Sequence, residues 1–402
     1  MEFEVIILGS DANAYYMARC YHEAYNRKAK ILSAKPMSFV NHSKIIDKTY
    51  NEDLWDEDKF SNILNEYVKK LQAKKIVCIS SNETYARALV KNKKKLDKRI
   101  LFNYVDLDFL DSLIMKDKFF LKYQDSNLLP KTIIYNVNDK LEIPFDFPII
   151  IKPANVITYN HIDFEGKKKI YKLNNMDEVN ETINYIKKSN YKDNLIIQEY
   201  IEGDDSSLFD AVVYCNQDGI CQCMAFAQIG LGEHTEKMIG NAAALINGFN
   251  TNTYDEEIPL KFKEFMEKIK FKGLAEIDIK YDKKDKKYKI LEINARQGRS
   301  SYYVTAAGCN LVKLVVDDLV YNKKKDFKLL KKEILLTYVP KGIIKKYVVN
   351  KEFRKEALKL YRRKKYVNPI IYKKDMPVKR ILFLLRKQLR YYKDFKNGYW
   401  KY

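Results

Sequence analysis

The sequence predicts an α/β domain over residues 1–110, an α+β body over 111–322 and a basic helical segment over 323–402. Three observations carry this reading. Apolar runs alternate with segments of helical period in the first domain, the pattern of a mainly parallel sheet. Strand-like runs then crowd together between residues 194 and 296. The charge is unevenly placed: residues 323–402 hold 27 Lys and Arg against 6 Asp and Glu, the whole net charge of +21, while the other 322 residues carry 47 of each sign.

Phe3–Gly9 is a short apolar run ending in glycine, followed by Ala14, Met17, Ala18 and Tyr21 at helical spacing. Strands are expected at Ala29–Ser33, Lys75–Ser80 and Arg99–Tyr104, with helices at Asp58–Gln72 and Glu83–Lys91. Gly9 stands outside any G-x-G-x-x-G pattern, which argues against a dinucleotide site. Leu110–Tyr123 reads as one helix. Phe147–Pro153 is an apolar strand ending on Lys152, and Lys167–Leu173 a further strand. Helix Asp177–Lys188 precedes a strand, Asn194–Gly203, that runs into a linker. Strands follow at Phe209–Tyr214, Ile220–Ile229, Gly273–Tyr281 and Tyr288–Arg296, with helices at Ile258–Lys270, Asn310–Val320 and Met376–Lys396.

The six cysteines form no C-x-x-C pair, so buried reduced thiols are expected rather than a zinc or redox site. Glu2 and Glu4 stand where a basic leader would begin, and no apolar run reaches the roughly 18 residues of a membrane span. A cytoplasmic protein is expected, with the inner face of the membrane as an alternative through the basic segment.

The chemistry concentrates in Leu291–Ser300. On a strand, Glu292, Asn294 and Arg296 share one face and Ile293 and Ala295 the other, with same-face neighbours about 7 Å apart. A buried carboxylate needs a partner or a metal. Glu292 and Asn294 offer hard oxygen ligands of the kind Mg²⁺ takes together with phosphate oxygens. The turn composition of Asp282–Lys287 predicts a hairpin that brings Asp278 beside this row. Arg296 then suits an anionic oxygen. A wet amphipathic hairpin is the alternative on these four residues alone.

The wider arrangement resembles the ATP-grasp superfamily of carboxylate–amine ligases. Its matching elements are Pro148–Pro153 around Lys152, the hinge strand Gln198–Gly203, Asp278 as the upstream metal acid, and Glu-x-Asn-x-Arg at Glu292–Arg296. The resemblance implies a Rossmann-like pre-ATP-grasp domain, then an ATP-grasp fold, with ATP and Mg²⁺ (or Mn²⁺) as cofactors. It implies that Lys152 and an earlier lysine, Lys118 in preference to Lys116, meet the nucleotide phosphates. Glu199, Tyr200 and Ile201 would surround the adenine, and Asp204 or Asp205 the ribose. Asp278, Glu292 and Asn294 would hold the metal. Arg296 would steady the transferring phosphoryl group. A glycine-rich phosphate lid is common in such enzymes. Here Ala154–Lys169 offers only Gly166, which leaves the lid and Lys167–Lys169 without a matched role.

Leu8–Tyr25, Ser81–Ala86 with Asn92, and Arg296–Tyr302 look like the D-aspartate ligase group. That narrower resemblance implies an amino-acid donor activated at its carboxylate and an amine acceptor, best read as D-aspartate and the lysine side chain of a peptidoglycan stem peptide, nucleotide-linked or lipid-linked. Arg299 would clamp the donor's free carboxylate or serve structure, and Ser300 and Ser301 could position substrate. The alternatives are a ligase making another amino-acid or dipeptide conjugate, or an inactive nucleotide-binding or membrane-associated regulator. Of His22, His42, His161 and His234, none is required as an acid or base.

In the helix expected at 376–396, Val378, Ile381, Leu382, Leu385, Leu389 and Tyr392 form one stripe, with basic residues largely off it. That stripe would pack on the protein body, lie on an anionic membrane, or leave the basic residues to recruit an anionic nucleotide-linked peptide. No nucleic-acid-binding module is recognisable, so no nucleic-acid partner is expected.

Overall fold

The computed structural model describes residues 1–398 except 156, 157, 160, 234, 236, 237, 253 and 254. Val156, Ile157 and Asn160 of the lid segment, and His234, therefore lie outside the described residues. The chain divides into two compact units: Met1–Leu107, Asp204–Ile277 and Asn294–Tyr402 form the first, and Asp108–Gly203 with Asp278–Ile293 the second.

The first unit opens with β1 (Phe3–Leu8), β2 (Ala29–Ser33), β3 (Ile46–Tyr50), β4 (Lys75–Ser80) and β5 (Ile100–Leu101). They form a parallel sheet of order β3-β2-β1-β4-β5. β1, β2 and β4 are buried along nearly their whole length, as strands covered on both faces should be. The helix Ala12–Tyr25 starts where the Asp11 carboxylate accepts from the Ala14 N–H at 2.9 Å. It stops at Asn26, whose left-handed backbone returns its N–H to the His22 carbonyl. Gly9 must be glycine: its φ is +120°, and a Cβ would lie 2.0 Å from the Ser81 hydroxyl oxygen.

The second unit contains β6 (Thr132–Tyr135), β7 (Ile149–Pro153), β8 (Tyr171–Leu173) and β9 (Leu195–Glu199), in the order β6-β9-β7-β8 with antiparallel pairing throughout. Its core gathers Ile149, Ile151, Leu195 and Ile197 under the helix Met176–Lys188, which presents Val179, Ile183 and Ile186.

The single helix expected at Leu110–Tyr123 is two, Leu107–Ile114 and Lys116–Tyr123. Met115 adopts an extended backbone between them, and the Lys116 N–H bonds the Ala154 carbonyl at 3.2 Å. A backbone contact across the unit interrupts the helix, which residue periodicity could not register.

The remaining strands are β10 (Leu208–Cys215), β11 (Cys221–Gly232), β12 (Ala242–Asn247), β13 (Gly273–Asp282), β14 (Lys287–Asn294), β15 (Lys328–Leu330), β16 (Ile334–Thr337) and β17 (Tyr366–Val367). In the first unit the order runs β13-β10-β11-β12-β16-β17, with β15 beside β11. β13 carries the chain into the second unit, and β14 follows it as the expected hairpin partner. All six cysteines are free, and only Cys309 is less than buried.

Residues 323–402 are not only helical. They supply β15, β16 and β17 and the helices Lys341–Tyr347, Lys351–Arg362 and Val378–Lys396. The last helix exists as expected, but its apolar stripe does not enter the core. Leu384, Tyr391 and Phe395 are buried instead, together with Arg380, while Val378, Leu382, Leu385 and Leu389 are exposed. The helix has two apolar faces, and the one with the larger aromatic side chains is covered.

Arg380 and Asp375 are fully buried, 3.3 Å apart. Asp375 also accepts from the hydroxyls of Tyr15 at 2.9 Å and Ser43 at 2.7 Å, and from the Lys44 N–H at 2.8 Å. Arg380 stacks over the Tyr15 ring at 3.7 Å and donates to the carbonyls of Phe39 and Ile370. This cluster joins the C-terminal segment to the N-terminal sheet. Removing one partner leaves a buried uncompensated charge, so Asp375→Ala should destabilise the first unit by about 3–5 kcal/mol. Chemical denaturation monitored by fluorescence measures it.

Candidate functional site

In the second unit, β7 alternates: Ile149, Ile151 and Pro153 are buried, while Ile150 and Lys152 are half-buried on the other face. Lys152 lies 5.3 Å from the Phe120 ring centroid. Burial first, then the positive charge of Lys116, pushes its ammonium down to about 7, against the opposing pull of Glu292 and Asp278. The helix start at Lys116 places its Nζ 3.1 Å from Glu292 Oε2. Loss of water raises the Glu292 carboxyl, but Lys116, Lys152 and Lys169 outweigh it and hold the group below the ordinary value. Three lysines and two carboxylates, Asp278 on β13 and Glu292 on β14, thus share one field. With Lys152 protonated, the lysines exceed the acids by one charge, which suits a polyanion.

Beside the hinge strand, Glu199 Oε1 accepts from Lys289 Nζ at 2.8 Å and from the Lys131 N–H at 2.9 Å. Lys289 also pairs with Asp282 and Asp285, each at 2.9 Å. Burial lowers its pKa, but Glu199 and these two acids together raise it above the ordinary range. Tyr200 has Lys172 Nζ 4.1 Å and Lys280 Nζ 5.3 Å from its ring centroid, and Ile201 is buried. In the lid segment the Tyr159 hydroxyl bonds the Lys168 carbonyl at 2.9 Å and the Tyr171 hydroxyl at 2.8 Å, and His161 is exposed.

The first unit holds a second constellation. Asn294 and Arg296 flank buried Ala295, but β14 ends at Asn294, so Arg296 lies in the bend beyond the strand expected to carry it. Arg296 contacts Glu83 at 2.7 Å, Glu276 at 3.4 Å and the Asn294 amide oxygen at 3.4 Å. Gln297 donates to the Ser80 carbonyl at 2.7 Å, Asn13 to the Ser81 carbonyl at 3.1 Å, and the Tyr16 hydroxyl to the Gly298 carbonyl at 2.6 Å. The segments Leu8–Tyr25, Ser81–Ala86 and Arg296–Tyr302 therefore converge at the carboxyl ends of β1 and β4, where open α/β sheets place ligands.

Glu276 is buried there, and burial raises its carboxyl against Arg296 and the Ser300 hydroxyl. Ser300 Oγ lies 2.9 Å from Glu276 and also contacts Asp210. One hydroxyl has one proton, so it cannot donate to both carboxyls at once. A Cβ on Gly298 would sit 1.6 Å from the Glu276 carboxyl, so only glycine permits this approach.

Arg299 is buried and paired to Glu233 at 2.6 Å. Its guanidinium stacks on Tyr338 at 4.0 Å and donates to the Tyr391 hydroxyl at 3.1 Å. Asp204 accepts from the Ser206 N–H at 2.9 Å and its hydroxyl at 2.6 Å, and Asp205 from the Gly232 N–H at 2.7 Å. Both acids thus fasten the start of β10. His22 bonds the Tyr372 hydroxyl at 3.0 Å.

Of the residues singled out from sequence, Lys152, Asp278 and Glu292 act on one another in the second unit, and Asn294 and Arg296 touch in the first. Lys118 is exposed, whereas Lys116 reaches Glu292. On a helix, residues two apart face different ways, so the two lysines do not share one face. Lys289, Glu233 and Glu276 were not singled out as functional. Only Lys289 had a local signal, following the two hairpin acids Asp282 and Asp285 within seven residues.

No protein-family model matches the chain. A D-aspartate ligase of Enterococcus faecium is 32% identical over 416 aligned positions, covering 98% of this chain and 96% of that protein. Among solved structures, N5-carboxyaminoimidazole synthetase from Staphylococcus aureus, also solved with ADP, matches at TM-score 0.59 and 14% identity; the uncomplexed structure covers 83% of each chain. An L-amino acid ligase from Bacillus licheniformis matches at TM-score 0.56 and 14% identity, over 80% of this chain and 74% of that one.

The lowered pKa of Lys152 has a measurable consequence. Below pH 7 the group is charged folded or unfolded, and the folded chain bears the full penalty. The penalty is relieved as pH rises from about 7 towards the ordinary 10.5. A polyanion bound beside Lys152 restores its proton affinity. ATP binding at pH 8 should take up as much as about one proton, read by calorimetry in buffers of different ionisation enthalpy. Lys152→Met should remove that uptake; equal uptake in the variant would contradict the assignment.

Proposed function

Because the chain belongs to the D-aspartate ligase family and is an ATP-dependent carboxylate–amine ligase of the ATP-grasp superfamily, we propose that its donor is D-aspartate. The proposed acceptor is the side-chain amine of a lysine in a peptidoglycan stem peptide. The full-length likeness to the Enterococcus faecium enzyme carries this reading. We keep the division into a pre-ATP-grasp segment (1–110), an ATP-grasp segment (111–322) and a C-terminal segment (323–402) as a reading of roles.

The donor set of Asp278, Glu292 and Asn294 suits Mg²⁺ or Mn²⁺. Among the described residues no group of three or more His, Cys, Asp or Glu could hold a metal. Mg²⁺, however, binds through one or two carboxylates together with phosphate oxygens and water. When bound, the metal would screen the charge of the triphosphate. Lys152 meets the phosphates as a point charge in this proposal, with Lys118, the exposed candidate, or Lys116, which reaches Glu292, as the second. Glu199, Tyr200 and Ile201 face the adenine, with Glu199 oriented by Lys289. Asp204 and Asp205 remain the ribose candidates through oxygen lone pairs beyond their backbone bonds.

ATP supplies the driving force. A donor carboxylate oxygen attacks the γ-phosphorus, ADP leaves, and the acyl phosphate is the activated species. The acceptor nitrogen then bonds the acyl carbon, phosphate departs, and the nitrogen releases a proton. Arg296, oriented by Glu83, would neutralise charge on the transferring group. Arg299, held flat on Tyr338, would meet the donor's free carboxylate.

Phosphate release over a panel of D- and L-amino acids, with a nucleotide-linked lysine stem peptide, tests the reading. The expected outcome is release that requires D-aspartate and the peptide, with the peptide gaining one aspartyl residue. Arg296→Ala should lower kcat about 100-fold or more. Turnover with a different donor only, or with a free amino acid as acceptor, would replace the substrate assignment.

A further inference from the structure

We propose that the outward face of the helix Val378–Lys396 docks the protein onto an anionic lipid bilayer. Among the described residues the apolar stripe on that face is left largely exposed: Val378 is 73% exposed, Ile381 39%, Leu382 50%, Leu385 56%, Leu389 69% and Tyr392 48%. Spacings of three and four residues place all six on one side. Single exposed apolar residues are ordinary, but a contiguous row along a helix is the mark of an interaction surface.

The helix does not need the stripe to hold its place. Leu384, Tyr391 and Phe395 are buried on another face, and Arg380 is pinned by Asp375. The surface is therefore already ordered, and a partner need not fold it.

Charge selects the occupant. Lys379, Arg386, Arg390, Lys393 and Lys396 are all exposed beside the stripe, and Asp394 is the only acid in the helix. Apolar side chains flanked by lysine and arginine match the boundary of an anionic bilayer, with the apolar row entering the acyl region and the bases meeting phosphate headgroups. A second copy docked through the same face would bring two basic edges together. No helix among the described residues is long and apolar enough to cross a membrane, so the contact is peripheral.

The full chain is sedimented with vesicles of phosphatidylcholine alone and of phosphatidylcholine with phosphatidylglycerol at about 7:3. Binding should require the anionic lipid and weaken about tenfold or more in high salt. Leu385→Glu/Leu389→Glu and Arg386→Glu/Arg390→Glu should each weaken it about tenfold or more. Melting temperature and phosphate release on soluble substrates should be unchanged in both. No sedimentation with anionic vesicles, or full binding by the leucine double variant, would overturn the proposal. So would a dimer in sedimentation velocity that the leucine double variant dissociates, because a second copy would then cover the face. Phosphate release is read separately, so failure of this inference leaves the ligase assignment standing, and the converse holds.

Discussion

The second unit depends on one constraint: Lys116 and Lys152 must stay close in poorly solvated surroundings, although like charges repel. Glu292 makes this tolerable by standing 3.1 Å from Lys116 and acting on Lys152, with Asp278 adding to it. The local structure serves this arrangement. β7 alternates so that its isoleucines fill the core while Lys152 faces the other way. The helix breaks at Met115 so that Lys116 begins a new turn near Ala154. The hairpin of β13 and β14 supplies both acids. The result is a strained balance of charges, which nucleotide phosphates and a divalent cation would each relieve from opposite sides.

The first unit solves a different electrostatic problem. Arg296 leans on Glu83, while burial raises the Glu276 carboxyl beside Asp210 and Ser300. Gly298 makes room for that carboxyl. The loops after β1 and β4 close around the same segment, so residues far apart in sequence meet at one sheet end. The buried Asp375–Arg380 pair then secures the C-terminal segment to the same unit. Residues 323–402 are thus structural members of the first unit that also carry a basic, partly apolar outer face.

Much of this was legible in the residues. Alternation of Glu292 and Asn294 with apolar neighbours gives the strand and its polar face, because side-chain period on a strand is fixed, whereas Arg296 falls in the bend after Asn294. The turn acids of Asp282–Lys287 give the hairpin. What escaped depends on long-range contacts. The helix break that sets Lys116 beside Glu292 accompanies a backbone bond to Ala154, some forty residues away in sequence. The pairing of Arg299 with Glu233 has no local pattern at all. In the last helix two apolar faces compete, and only the packed body shows which is covered. β15 and β17 are two or three residues long and take their identity from neighbouring strands.

The central claim is that the Glu292 carboxylate, held among lysines, is the anchor through which a divalent cation strengthens nucleotide binding. Titration calorimetry of ATP into wild type and Glu292→Gln, with and without Mg²⁺, tests it most directly. Removing one negative charge from the lysine cluster should leave metal-free ATP binding equal or tighter, while the enhancement by Mg²⁺ falls about tenfold or more. A variant that kept the full Mg²⁺ enhancement, or lost metal-free ATP binding while still folded, would contradict the account.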